Sequence, residues 1–389
     1  MKSVMKHLII RNFGSIKNAD IEMGAVNVIT GLQSSGKSSV LKIACYCSWV
    51  EKRLEMTQKV NGFGKDSAFI DLMMEYYNMA DYVKENSYIE YESSHLKFWY
   101  DHSARKFEIK WKGSRWNYRR PKVSYVPADR NLVAAIPAWS GVTIDRNMLD
   151  FMSDWDKARK CVKKEENFLN LGLTYQYDAM AGTDSVVLSN GKPLSLKSSS
   201  SGIQSLLPMF VHLDYLTGGQ YSEASTQLKY EEKEERKNLR STIYKNLYQK
   251  KQVGDLIASV TIDGFDYGFS DMKQAKRFEQ IYNRYIKVDH SEIFLEEPED
   301  NLFPPTQCQF VNWLMDAIEN HDDFLFVATH SPYILNQFIK LAPKDLRILF
   351  THCAEDDSQE FSVKTLSDEE IREIYENGVD MFFNFEMYV

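Results

Sequence analysis

Cysteine is scarce in this chain of 389 residues. There are five, Cys45, Cys47, Cys161, Cys308 and Cys353, scattered and odd in number. With no C-x-x-C pair among them, they argue against a disulfide framework and a zinc site, and for reduced thiols in a cytoplasm. Long apolar runs are missing too: no stretch approaches the roughly 18–20 residues that span a bilayer, so no membrane partner is expected. The opening "MKSVMKHLIIRNFG" has too short an apolar segment, and no small-residue cleavage site, for a signal peptide. Positive charge is outweighed, with 47 Lys and Arg against 55 Asp and Glu. Nothing draws the whole chain to nucleic acid, although a local basic patch stays open. Internal repeats and linkers rich in Pro, Gly or Ser are absent, which favours one compact unit long enough to bury a core.

What is present is an alternation of sheet and helix signals, an α/β pattern. "HLIIRNFGSIKNADIEMGAVNVIT" reads as short strands separated by turns, ending in a buried strand. "SSVLKIACYCSWVEKRL" has helical spacing, with Val40, Ile43, Ala44, Cys47 and Val50 on one face. A second helical pattern, rich in Met and Tyr, covers Ser67 to Lys84. "SYIEYESSHLKFWYDHSARKFEIKWKG" alternates as an antiparallel ribbon with its turn near His102–Arg105. After "YVPADRNL" the pattern is mostly helical to about Asn170, with hairpin-like segments around Tyr175–Leu196. "STQLKYEEKEERKNLRSTIYKNLYQKKQ" is a charged helix whose interleaved signs suit a solvated face; it is much too short for a long coiled-coil arm.

Four constellations carry chemistry. In "GLQSSGKSSV", Gly31 to Val40, a strand feeds a glycine-bounded loop that opens a helix, so successive backbone N–H groups form an anion cradle. Gly31 and Gly36 allow close backbone approach. Lys37 reaches β- and γ-phosphates and the Ser38 hydroxyl ligates Mg²⁺; Gln33, Ser34, Ser35 and Ser39 complete the contact set. A phosphate loop implies a nucleotide with Mg²⁺, but kinases, GTPases, helicases, transporters and chromosome-organising ATPases share it, and it does not decide among them; ATP is what the resemblance described below implies. In "SEIFLEEPEDNLFPP" a buried strand ends on Glu296 and Glu297, placing Glu296 to hold the metal and Glu297 to polarise the attacking water. "FLFVATHSPYIL" ends a further buried strand at His330, suited to sense the γ-phosphate or the water. Last, "SLKSSSSGIQSLLPMFVHLDYL" opens a helix with serines and a glycine, which alone is a capped helix start.

The order of Gly31…Lys37-Ser38, Ser200-Ser201-Gly202-Ile203-Gln204, "FLEEPEDNL" and "THSPYIL" resembles the ABC-type ATPase heads, within them the RecF/SMC/OLD-like class. "RNFGSIKNADIEMG" is similar to that group's N-terminal strands, and "YVPADRNL" to a segment of AAA-family proteins in bacterial antiphage systems. The resemblance implies a P-loop NTPase fold of ABC-type head, a mixed and partly parallel core sheet with an antiparallel β lobe and a helical lobe. It divides the single head into an N-terminal lobe over 1–130, a helical lobe over 131–254 and a C-terminal core over 255–389. It further implies that Ser201, Gly202 and Gln204 cap ATP held by a second copy, giving a homodimer of ATP-sandwiched heads. The sequence departs from the family in its loop residues Leu32-Gln33-Ser34-Ser35, in Glu for Asp at 296, and in Ser-Ser-Gly-Ile-Gln at the signature.

Three function classes follow from that resemblance: an ATP-hydrolysing switch, the sensor or regulator of an antiphage system with a separate effector such as a nuclease or toxin; a DNA-repair or chromosome-associated head; and a transporter subunit. "EEPEDNLFP" differs from the transporter pattern. The acidic balance and the lack of long arms weigh against DNA repair, while DNA as a ligand stays open. About sixty residues follow His330, too few for a nuclease domain, so none is expected within the chain. A cytoplasmic location is expected.

Overall fold

The computed structural model of the chain describes it except for residues 1–5, 61, 66, 137–143, 163–165, 168, 170, 189–190, 223–229, 250–255, 257, 354–359 and 378–389. Three strands come first, β1 (Lys6–Phe13), β2 (Ile16–Met23) and β3 (Val26–Gly31), then the helices α1 (Lys37–Thr57) and α2 (Ala68–Tyr77). Four strands follow: β4 (Val83–Glu92), β5 (Leu96–Asp101), β6 (Lys106–Trp111) and β7 (Arg120–Val126). A mainly helical stretch holds α3 (Leu132–Ala135) and α4 (Arg146–Cys161). The short strands β8 (Glu166–Asn167), β9 (Thr174–Asp178), β10 (Thr183–Val187) and β11 (Pro193–Ser195) lead to α5 (Ser201–Thr217). Next come α6 (Tyr230–Leu247), β12 (Ala258–Ile262), β13 (Phe265–Phe269) and α7 (Met272–Ile286). The last part alternates β14 (Val288–Glu296), α8 (Pro304–Ile318), β15 (Phe324–Ala328), α9 (Pro332–Leu341) and β16 (Leu346–Cys353), then β17 (Phe361–Thr365) and α10 (Asp368–Asn377).

Eleven of the described strands form one mixed sheet in the order β6-β5-β4-β1-β2-β17-β16-β3-β15-β14-β7. From β16 to β7 every pairing is parallel, with Val28 of β3 facing both Val327 and Ile348, and Glu296 beside Ala328. The wing from β6 to β2 is antiparallel. The predicted ribbon is there, its turn falling between Asp101 and Lys106.

Period-two alternation sorts the apolar residues of the parallel strands onto two faces, both covered by helices, as a parallel sheet requires. Ile293, Leu295, Leu325 and Val327 join α4, α5, α8 and α9 in one core, while Phe294, Phe326 and Leu349 join α1, α2 and the antiparallel wing in another. A third, smaller core gathers Leu239 and Ile243 of α6 with Phe269, Phe278 and Tyr285.

Two sequence expectations end differently. The helical pattern expected from Ser67 to Lys84 stops at Tyr77, because Asn78 takes a left-handed conformation (φ 53°) and its N–H closes onto the Met74 carbonyl. The helical reading to about Asn170 ends at Cys161, where Val162 turns extended. Of the charged segment, Tyr230–Leu247 is helix and Leu239 and Ile243 are buried; residues 225–229 and 250–252 lie outside the described part. No helix among the described residues is long and apolar enough to cross a membrane.

Candidate active site

The parallel strands all end at one edge of the sheet, where ligands of open α/β sheets collect. β3 runs there into the 31–36 loop and α1. Gly31 has φ 144°, and a Cβ on it would collide with the side chain of Thr351 at the end of β16. Thr351 Oγ1 lies 2.5 Å from Ser35 Oγ, and Ser35 Oγ also donates to the Leu32 carbonyl at 2.6 Å. Gly36 occupies the N-cap of α1, and among the described residues no side chain caps that helix and no acid lies in its first turn. Its first free N–H groups and dipole therefore face the cleft uncompensated, a ready anion site.

Lys37 is buried, and its ammonium donates to the carbonyls of Gly31 (3.1 Å) and Leu32 (2.5 Å). Burial pushes its pKa down to about 8, with Glu297 and Glu299 pulling the other way. The cleft, about 550 Å³, is lined by Gln33, Ser34, Ser35, Gly36, Lys37, Ser38 and Ser39 on one side and by Glu297 and His330 on the other. The two sequence-distant candidates thus meet the loop.

Four acids crowd the five positions that begin with the last residue of β14, and the fold gives Glu296, Glu297 and Glu299 separate places. Glu296 is buried and its carboxylate accepts a hydrogen bond from the Tyr125 hydroxyl. Glu297 adopts φ 43° and turns into the cleft, its N–H held by the Ala328 carbonyl at 2.8 Å. Burial, then the neighbouring Asp300, Glu299 and Glu296 charges, lifts its pKa to about 7. Glu299 accepts from Thr329 Oγ1 (2.8 Å) and the His330 N–H (2.6 Å), fixing the end of β15 against the acid turn. His330 Nε2 lies 3.6 Å from Glu297 Oε1. Burial and the Lys37 charge lower the pKa of that histidine.

Ser201, Gly202 and Gln204 do not line the cleft of their own chain. They begin α5, where Ser200 is the N-cap, accepting from the Ile203 N–H at 3.4 Å. A Cβ at Gly202 would come within 2.9 Å of the Asn301 carbonyl, so glycine lets the helix start abut the acid turn. The Gln204 amide is spent locally on the carbonyls of Lys197 (2.8 Å) and Ser199 (3.1 Å).

Sequence reasoning missed two contributors. Arg130, fully buried, donates to the carbonyls of Glu296 (2.9 Å), Glu297 (2.8 Å), Pro127 (3.2 Å) and Ser205 (3.3 Å), tying the acid turn to α5. Its segment, "YVPADRNL", stood out, but nothing in it marked the arginine. The other is the far wall of the cleft, formed by Gly14, Ser15, Asp81, Tyr82 and Lys84. Gly14 N–H bonds the Tyr82 carbonyl at 2.6 Å; no motif linked these positions.

No family model matches the chain, and neither does any curated protein. Among solved structures, the SMC head domain from Thermotoga maritima is similar over 94% of this chain and 99% of its own, at 10% identity and a TM-score of 0.43. An Smc head with an extended coiled coil, bound to the C-terminal domain of ScpA derived from Pyrococcus furiosus, is similar over 97% and 99% at 8% identity and 0.42. The ADP conformation of an ATP-binding cassette of an ABC transporter is similar over 99% and 100% at 11% identity and 0.35.

Proposed function

We propose that the chain is an ATP-hydrolysing head of the ABC/SMC type that works as a homodimer, each cleft completed by Ser201 and Gly202 of the second copy. One observation carries the reading: a single cleft holds an uncapped helix N-terminus, a buried lysine, a carboxyl with its pKa near 7 and a histidine. Those are the groups needed to hold a triphosphate and to take a proton from water at neutral pH.

In this reading Lys37 and the first N–H groups of α1 hold the β- and γ-phosphates. Glu297 accepts the proton of the attacking water, and His330 steadies that water or the γ-phosphate. The Ser38 hydroxyl, which lines the cleft, and the Glu296 carboxylate, held by the Tyr125 hydroxyl outside that lining, are hard oxygen donors of the kind Mg²⁺ takes, with waters filling its other positions. Bound there, the ion would neutralise charge on the phosphates. Leu32 (41% exposed), Phe303 (73%) and Tyr333 (43%) stand out at the same sheet edge, apolar surface that a second head would cover.

The lobe boundaries near 130 and 254 belong to the same proposal. So does the role as regulator of an antiphage system acting through a separate effector, which rests on the likeness of "YVPADRNL" to a segment of such proteins.

Mixing two dead variants tests the shared site. Ser201→Arg leaves the local loop intact but blocks the partner's cleft, and Lys37→Ala disables its own. A heterodimer of the two has one site with both defects and one with neither, so about a quarter to half of wild-type ATP turnover returns in a closed isologous pair. Heterodimers that form without regaining activity refute the shared site.

A further inference from the structure

A second cavity, of about 440 Å³, lies at the β7 edge of the main sheet beneath α1, α2 and α4. Aromatic rings of Tyr46, Trp49, Tyr76 and Tyr77 form much of its wall. Its charged groups are unbalanced: four cations, Lys52, Lys122, Arg146 and Lys157, face two carboxylates, Asp150 and Asp154. Lys122 and Lys157 are paired with Asp154 at 2.5 and 3.4 Å, Arg146 with Glu75 at 2.9 Å, and Asp150 accepts from the Tyr76 hydroxyl at 2.7 Å.

Lys52 is left over. It has no hydrogen-bond or ion-pair partner among the described residues. Burial, and then the neighbouring Arg120 and Lys122 charges, pushes its pKa down to about 7. Glu292 and Asp154 pull the other way from a distance, but neither makes an ion pair with it; a half-buried ammonium with no contacting counter-charge is unfavourable, and here the space beside it is large enough for a small molecule. The cavity also touches the catalytic apparatus through consecutive residues of β7. Ser124 Oγ lies 2.8 Å from His212 Nε2 on α5, and the Tyr125 hydroxyl donates to Glu296.

We propose that this cavity is a second ligand site, for a phosphate monoester of a planar ring. The phosphate lies on Lys52 and the ring against the tyrosines, and occupancy is relayed to Glu296 through Tyr125. The binding part is independent of the ATPase reading; the relay rests on it.

Phenyl phosphate is the probe, titrated calorimetrically into Lys37→Ala protein so that the phosphate loop does not compete. It binds there, inorganic phosphate binds more weakly for want of a ring, and adding Lys52→Met weakens phenyl phosphate at least about tenfold. Lys52→Met exchanges an unpaired ammonium for an apolar chain of like shape and keeps the fold; Lys52→Gln replaces it if thermal melting shows otherwise. No saturable binding up to about 10 mM, or binding indifferent to Lys52, overturns the site. In wild-type protein phenyl phosphate changes ATP turnover, and Tyr125→Phe binds it equally while losing that response. A wild-type turnover that ignores bound probe overturns the relay, whereas a protein that hydrolyses no ATP overturns the ATPase reading and leaves the binding result standing.

Discussion

Between Gly31 and Ser39 the chain builds its side of the cleft almost entirely from neighbours in sequence, whereas the side formed by Glu297 and His330 is held by distant segments. Lys37 bonds back to Gly31 and Leu32, and Ser35 to Leu32; Thr351 is the chief outside anchor. At the acid turn the carbonyls of Glu296 and Glu297 are gripped by Arg130, Glu299 is tied to Thr329 and His330, and the Asn301 amide donates to Ser205 Oγ at 2.9 Å. A left-handed conformation at a glutamate is unfavourable by itself, so Glu297 keeps its aim only while those supports stand. Removing one loop side chain therefore removes a function locally, and removing one support of the acid turn disturbs several groups together.

The largest expected effect is on the local side. Lys37→Ala abolishes ATP binding and turnover without unfolding the protein, because its ammonium meets only loop carbonyls and the Ser35 hydroxyl. Calorimetric titration with ATP and a thermal melt check both halves; undiminished turnover would remove the loop from the site.

Second in size is Glu297→Gln, which keeps shape and hydrogen bonding but cannot take a proton. Turnover falls about 10²–10⁴-fold while ATP still binds, and trapped ATP holds two heads together on gel filtration with Mg²⁺. Normal hydrolysis by this variant would pass the base role to another group.

Arg130→Met probes the long-range side. It takes the guanidinium donors from the carbonyls of Glu296, Glu297, Pro127 and Ser205; the Glu297 carbonyl keeps the Asp300 N–H at 3.1 Å, and each carbonyl left with no other donor costs about 1–3 kcal/mol where water cannot replace the guanidinium. Urea unfolding should show a loss of several times the effect of Lys37→Ala, with turnover reduced through misplacement of Glu297. If stability is unchanged, the acid turn does not depend on Arg130 and the contrast between the two sides collapses.

The same contrast explains what could be read from the sequence. The loop, the buried face of α1, the β5–β6 ribbon and the strand ends bearing Glu296 and His330 are signals carried within ten or twenty residues. The order of the eleven-stranded sheet is not, since β17 pairs with β2 and β16 with β3 across most of the chain. Nor does "EEPED" say which acid points where. Only the fold sends Glu296 toward Tyr125, Glu297 into the cleft and Glu299 onto His330. Asn78, whose left-handed turn ends α2 early and brings Asp81 and Tyr82 to the cleft, looks like any polar residue in a helical pattern.

The smallest expected effect is a pH dependence of stability set by Glu297. In the folded chain its carboxyl keeps a proton up to about pH 7, against an ordinary value of 4.5. Between those values the folded state binds more protons than the unfolded one, so stability falls as pH rises through the window and the loss is complete above it. Glutamine does not titrate. Without nucleotide, Glu297→Gln should therefore be more stable than wild type at ~pH 8, and the gap should close toward ~pH 4. Urea midpoints at the two pH values measure it. A gap that is constant, or that widens on acidification, would mean that Glu297 is charged throughout and that the acids around it do not raise its pKa. The effect is small because the carboxyl is partly open to water, which screens the neighbouring charges.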